Sequence, residues 1–374
     1  MKKKVLHVAE TVKGGVATVI RQLVQQNDEF DFYCVLPDSQ YREIGAFPAE
    51  KMKVFTRTGR NISSFISLAI NYIQMVRKEK PDVIHVHSTF AGVVCRLLTP
   101  LVRITCRPKI IYCPHAFSFL MDTSEKKKKV YAKIEKILQK NTDVIICTSE
   151  YEKRTALMAG LSPDNLTVVY NGVEPPVKLP DDTNPYRQDK INILFVGRFD
   201  YQKGFDLVQR IADELDDRFL ITIVGGNVHA KEQPAPHSRM DFKGWLTSAE
   251  MAPYFTYADV LLMPSRWESF GLVAVEAESY GLPVVASRCS SLPEVVSEGV
   301  TGYLFTTNQA DEAVEILNAR DQRDWSAMKV DCVDFFFAFF TSVFLISNTY
   351  RHYRFSIHPF FGMKIIFLLF IFNR

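Results

Sequence analysis

Several familiar signatures are missing from this sequence. Its seven cysteines are scattered, with no C-x-x-C pair. Such a set argues against structural zinc and a disulfide framework, and for a reduced, cytoplasmic setting. No G-x-x-x-x-G-K-[ST] loop occurs, which excludes a Walker site. No complete G-x-G-x-x-G follows a strand, and no acidic residue ends a clear second strand, so nicotinamide-dinucleotide binding finds no support. The pair Asp-x-Asp is absent. The start, Met1-Lys-Lys-Lys-Val-Leu-His-Val8, has too short an apolar run before Glu10 for a signal peptide and reads as a first strand. The apolar runs 335–347 and 360–372 are too short for comfortable membrane spans.

What is present is ordinary for a globular protein: 374 residues, 47% hydrophobic and 23% charged, enough for two domains. The formal net charge of +3 hides an asymmetry. Residues 1–175 carry 26 Lys and Arg against 17 Asp and Glu, leaving 19 against 25 for the remainder. A basic half is either uneven solvated surface or the mark of an anionic partner. With few aromatics among its cations, a membrane surface or phosphorylated acceptor fits better than nucleic acid.

Strand-like runs alternate with helical stretches twice over. In the first half the strands are Val5–Ala9, Asp31–Leu36, Asp82–His87, Lys109–Cys113, Asp143–Cys147 and Leu166–Tyr170, with helices at Val16–Gln26, Ile62–Lys78, Glu125–Lys140 and Glu150–Met158. A Pro-, Asp- and Asn-rich linker, 175–190, follows. The second half resumes with strands at Ile191–Val196, Phe219–Val224, Met240–Gly244, Val260–Met263, Pro283–Ala286 and Tyr303–Phe305. This rhythm predicts an α/β protein of two facing Rossmann-like, doubly wound domains, 1–174 and 191–334, with a cleft between them. Ligands of such sheets lie outside the carboxyl ends of the strands.

The most informative stretch is Ser265-Arg-Trp-Glu-Ser-Phe-Gly-Leu-Val-Ala-Val-Glu-Ala-Glu-Ser-Tyr-Gly281. It follows a buried strand and is expected to open a helix whose first turn is Ser269-Phe270-Gly271. A helix start suits an anion, and the carboxylates Glu268 and Glu276 suit ligand hydroxyls. In Val196-Gly-Arg-Phe-Asp-Tyr-Gln-Lys-Gly204, Arg198 and Lys203 place two cations at another helix start, as a diphosphate requires, although a basic turn of this kind is also common as plain solvated surface. Lys13-Gly14-Gly15 is a weaker glycine turn after the first strand. His115 ends a strand, where a lone histidine is commonly structural. His85 and His87 share one strand face, but no third ligand is evident, so no metal site is expected.

Together with Asn171-Gly172-Val173, these two stretches resemble the retaining glycosyltransferases of family 4, which have the GT-B fold. The likeness covers roughly residues 4–330. It implies that Arg198 and Lys203 grip the donor diphosphate and that Glu268 contacts the donor sugar. Phe270, Gly271 and Leu272 would offer main-chain donors, and Glu276 would hold the ribose. Gly15 would let the first loop approach the phosphates, and His115 would lie by the reacting sugar. It also implies a nucleotide-diphosphate sugar as donor, with uridine diphosphate as the family's prior, no metal cofactor, and a glycan or lipid-linked acceptor in surface or exopolysaccharide assembly. A cytoplasmic hexosyltransferase, either free or peripheral at the inner face of the cell membrane, is the resulting expectation. Alternatives are a nucleotide-sugar-binding relic impaired in catalysis and a nucleotide-sugar epimerase.

The segment 335–374 departs from the family. Twelve of its 40 residues are Phe and none is acidic. It is expected to be an atypical tail, either membrane-associating or translated from a shifted frame, in place of the helix that braces the first domain in the family.

Overall fold

The strands run three to eight residues, and the central ones are mostly apolar with no wet face to offer, so they need helices on both sides and parallel pairing. The computed structural model, which describes residues 2–25, 30–176, 184–227, 235–340 and Thr349, has that arrangement twice. The first unit runs β1 (Lys3–Ala9), α1 (Gly15–Gln25), β2 (Phe30–Pro37), β3 (Met52–Phe55), α2 (Ile62–Glu79), β4 (Val83–His87), α3 (Thr89–Thr105), β5 (Lys109–Cys113), α4 (Glu125–Gln139), β6 (Val144–Cys147), α5 (Glu150–Met158) and β7 (Leu166–Val168). The second runs β8 (Ile191–Arg198), α6 (Phe205–Glu214), β9 (Phe219–Gly226), β10 (Met240–Gly244), α7 (Ser248–Tyr257), β11 (Val260–Met263), α8 (Leu272–Ser279), β12 (Val284–Ser287), α9 (Leu292–Val295), β13 (Gly302–Phe305), α10 (Ala310–Asn318), α11 (Gln322–Ala327) and α12 (Lys329–Phe339).

The seven strands of the first sheet lie in the order β3-β2-β1-β4-β5-β6-β7, and the six of the second in the order β10-β9-β8-β11-β12-β13. All pairs are parallel, as in β1 against β4, where His7 faces His85. The order reverses beside β1 in one sheet and beside β8 in the other. These switch points are where such sheets open a crevice for ligands.

Helix α3 and strand β3 carry no clear sequence signal. Pro100 lies inside α3, and β3 is a four-residue edge strand. Tertiary packing sets α3 in place. The Arg96 side chain, fully buried, donates to the Glu135 carboxylate of α4 at 2.8 Å and to the Gly92 carbonyl at 2.8 Å, and its guanidinium lies 3.7 Å from the centre of the Tyr112 ring. Removing one partner of such a pair typically costs about 3–5 kcal/mol, because the other charge stays buried.

The expected tail boundary at 335 falls inside the fold. Phe336 and Phe340 are buried in the second core, and the Phe340 carbonyl accepts the Val173 N–H at 3.0 Å. The phenylalanine run therefore begins as part of α12, packed on α8, because its ring at 336 fills the core and the helix end is tied back to Val173, just before the linker. Residues 341–374 apart from Thr349 lie outside the described residues, and with them both readings of the tail.

One buried carboxyl gives the second core a pH dependence. Glu278 on α8 is fully buried, and burial raises its pKa well above the ordinary 4.5, with Thr301 partly offsetting this. The folded state thus holds the proton longer than the unfolded one, so this group's contribution weakens as pH rises above 4.5. Glu278→Gln should stabilise the protein by about 1–3 kcal/mol near pH 8 and change little near pH 4.5, as denaturant titrations at the two pH values would read.

Candidate functional site

The loop after β8 and the loop after β11 are forced together. Gly204, the N-cap of α6 at φ 66°, lies so close to the Pro264 carbonyl that a β-carbon would stand 2.1 Å from its oxygen. Only glycine meets both conditions. The Gln202 carbonyl then accepts the Arg266 N–H at 2.8 Å, and the Gln202 amide donates to the Trp267 carbonyl at 3.2 Å.

Across this junction Lys203 Nζ reaches Glu268 Oε1 at 2.5 Å, and the Ser265 hydroxyl donates to the same oxygen at 2.8 Å. Both side chains are largely shielded, at 17% and 9% exposure. Arg198, 41% exposed, is held by Gln202 Oε1 at 2.6 Å and by Asp200 Oδ2 at 3.1 Å. Asp200 also accepts the Lys203 backbone N–H at 2.9 Å. Two cations and two carboxylates thus alternate around one helix start. The positions predicted as two flanking cations are built as an interlocked, charge-balanced set.

Helix α8 begins at Leu272 with Gly271 as its N-cap (φ 95°). The expected first turn at Ser269-Phe270-Gly271 is therefore corrected to a loop, because the left-handed Gly271 breaks the helical path there. Phe270 is buried against Tyr170 and Phe340 rather than facing the cleft, which leaves its main chain as the group available to a ligand. Glu276 lies one turn into α8, half-buried. Burial raises its pKa to about 7, against the opposing charges of Arg21 and Lys203.

The first domain closes onto this surface. A β-carbon on Gly15 would stand 2.7 Å from Leu272 Cδ1, so the start of α1 touches the start of α8. The hydroxyls of Thr148 and Ser149 donate to the Ser269 carbonyl at 3.2 and 3.1 Å. The Glu294 carboxylate of α9 accepts the N–H groups of Glu150 and Tyr151 at 2.7 and 2.6 Å, so it caps α5 from the other domain.

His115 stands at the end of β5 with φ 54°, followed by Ala116 at φ 131°, and this strained turn is the kind found at functional sites. Buried Glu152 on α5 pins it. Its carboxylate accepts the Phe117 N–H at 3.2 Å and the Thr148 N–H and hydroxyl at 2.7 and 3.0 Å. Burial raises the Glu152 pKa to about 7 despite those bonds.

His7 supplies the third imidazole that the sequence reading did not find beside His85 and His87. The three rings are buried, and their ligand atoms lie within 4.8 Å of one another. His7 Nδ1 faces His87 Nε2 at 2.9 Å, and His87 Nδ1 faces His115 Nε2 at 2.9 Å. Burial lowers all four histidine pKa values, His115 to about 4 and His7 to about 3.

Glu152, Glu294 and Arg21 also escaped the sequence reading: Ser149-Glu-Tyr-Glu152 has the S-x-x-E pattern of a helix start, with Ser149 as the N-cap, but the bond to Phe117 and the roles of Glu294 and Arg21 carry no local signal. Trp245 is another. It is 60% exposed, and its Nε1 lies 3.0 Å from where a β-carbon on Gly226 would stand, beside the carboxyl end of β9.

Comparisons with known proteins bear on the family and the fold. Residues 181–319 match the model of the Glycosyl transferases group 1, and residues 13–176 that of Glycosyltransferase Family 4. An uncharacterized 41.2 kDa protein in the cps region of Klebsiella pneumoniae is 45% identical over 339 residues, covering 88% of this chain and 94% of its own. HepE of Anabaena in complex with UDP superposes with a TM-score of 0.77 at 18% identity, over 94% of this chain and 99% of that one. Sucrose-phosphate synthase of Thermosynechococcus elongatus gives 0.79 at 18% identity, over 94% and 98%. At such identities the two structures speak to fold alone. With the sequence relationship added to the paired sheets, the chain belongs to the family 4, group 1 glycosyltransferases and has their GT-B fold.

Proposed function

We propose that the protein is a retaining hexosyltransferase that moves a sugar from a nucleotide diphosphate, with uridine diphosphate as the expected carrier, to a glycan or lipid-linked precursor of a surface polysaccharide. The observation that carries this reading is the Lys203–Glu268 pair at 2.5 Å, which joins the loop that opens α6 to the loop that leads into α8. Arg198 and Lys203 neutralise the departing diphosphate, with the main-chain N–H groups of Gly271 and Leu272 beside them. Glu268 receives hydroxyls of the donor sugar, and Glu276 those of the ribose. Gly15 keeps the first loop close to the phosphates, and His115 borders the reacting sugar. Trp245 offers a flat face to the base. Leaving-group charge is then met by fixed cations and amides, without a metal. The UDP bound by the Anabaena neighbour and the cps-region relative support the choice of donor and pathway class. The test is a panel of nucleotide sugars. A uridine-diphosphate sugar should raise Tm and be consumed only with an acceptor, whereas conversion of donor alone to an isomer would indicate an epimerase, and stabilisation without turnover a relic.

Helix α4 bears on where the acceptor resides. Val130, Ile134 and Ile137 form an exposed apolar stripe at helical spacing, flanked by Lys126, Lys127, Lys129, Lys133 and Lys136. A groove of about 500 Å³ beside it is lined by four of α4's lysines and by Phe119 and Met158. An apolar stripe bordered by cations suits an anionic lipid surface. Among the described residues no helix is long and apolar enough to cross a membrane. Co-sedimentation with vesicles rich in anionic phospholipid should fall at least about hundredfold in affinity when Lys126, Lys127, Lys129 and Lys133 become Gln, at about 1 kcal/mol per cation. Equal binding by both proteins would remove the membrane from the account.

A further inference from the structure

We propose that His87 and His7 are positioning residues that set the tautomer and ring orientation of His115 through a chain of three imidazoles running into the first domain. The inference rests on the transferase reading only for its kinetic consequence. Register places the rings. His7 and His85 are partners across β1 and β4, His87 pairs with Cys113 on β5, and His115 follows two residues later. Two bonds of 2.9 Å then join His7 Nδ1 to His87 Nε2, and His87 Nδ1 to His115 Nε2. The His87 and His115 rings are stacked at 5.2 Å and 20°, and His85 lies against His87 at 4.1 Å.

A neutral imidazole has one N–H and one bare nitrogen. His87, in the middle, therefore donates to one neighbour and accepts from the other, and the two bonds must run in the same sense. Once that sense is chosen, His115 Nε2 is either acceptor or donor, and Nδ1 takes the opposite role toward whatever meets it. The strained turn at 115–116, pinned by Glu152, holds the backbone, while the chain holds the ring. This is the logic by which a third group orients a histidine in a triad, with imidazoles in place of a carboxylate.

The same cluster could be imagined as a metal site. A tetrahedral zinc with bonds of about 2.0–2.1 Å separates its nitrogens by about 3.3 Å. The His7–His87 separation of 2.9 Å is that of a hydrogen bond instead.

The test is nitrogen NMR of the full chain, labelled in its imidazole rings, at neutral pH, with sugar transfer measured in parallel. His115, assigned by its loss in His115→Gln, should show a single neutral tautomer in the unaltered protein. In His87→Leu it should show both, and kcat should fall about tenfold with KM changed about twofold or less, as loss of one oriented hydrogen bond implies. His87→Asn keeps a polar group facing His115 and should restore both readouts in part. An unchanged His115 tautomer in His87→Leu overturns the proposal, and where that variant does not fold an unchanged tautomer in His7→Leu does so. So does about one equivalent of zinc retained after dialysis and lost in His85→Leu, since metal between His7 and His87 would break the chain. The spectra stand on the free protein, so they remain decisive even if no sugar is transferred.

Discussion

Lys203→Ala is expected to lower kcat for sugar transfer by roughly two to three orders of magnitude, the usual cost of removing one fixed group that meets developing charge. The physical reason is its placement. Lys203 is 17% exposed, so its charge acts in a poorly screened cleft, and Glu268 holds its ammonium in position at 2.5 Å. The fold should survive, because Glu268 keeps the Ser265 hydroxyl as a partner and remains at the cleft surface. Circular dichroism and a Tm within a few degrees of the parent would document that. Lys203→Arg should recover little, since a planar fork cannot reproduce a point charge in the space between two helix starts. Full activity in the alanine variant would remove the diphosphate role from this residue.

Glu152→Ala should be the most destabilising single substitution near the cleft, by about 3–5 kcal/mol. It strips the acceptor from two buried N–H groups and a hydroxyl, each worth about 1–3 kcal/mol when left unpaired. It also frees the strained turn at His115 and Ala116, so activity should fall beyond what the loss of stability explains. Glu152→Gln, which keeps one oxygen acceptor, should lie between. Urea denaturation paired with initial rates at a temperature where both proteins are folded would check this. Equal stability of the alanine variant and the parent would show that the carboxylate does not hold the turn.

Much of the architecture was legible because period and punctuation agree. β5, β10, β11 and α5 lie at the residues where apolar runs and caps placed them. Elements whose form depends on partners were not legible. α3 holds a proline and a buried Arg96 that only Glu135 and Tyr112 make tolerable, and α12 looks like low-complexity sequence until Phe336 and Phe340 meet the second core. The site divided in the same way. The two loops of the second domain announce themselves by local motifs, whereas Glu294, Arg21 and His7 act across strands or domains, and Glu152 adds its bond to Phe117 to a local one at the start of α5. The helix start at Leu272 was displaced from the expected 269–271 by one glycine in the left-handed region, a conformation that local pattern cannot separate from a helical first turn.

The chemistry proposed for the cleft depends on a nucleotide diphosphate held by Lys203, Arg198 and Glu276 without a metal. Isothermal titration of UDP into the full chain in excess EDTA measures that binding. Saturable binding of about one equivalent is expected, unchanged by EDTA and at least about tenfold weaker in both Lys203→Ala and Glu276→Ala. Binding that vanishes with EDTA, or that both variants retain in full, would contradict it.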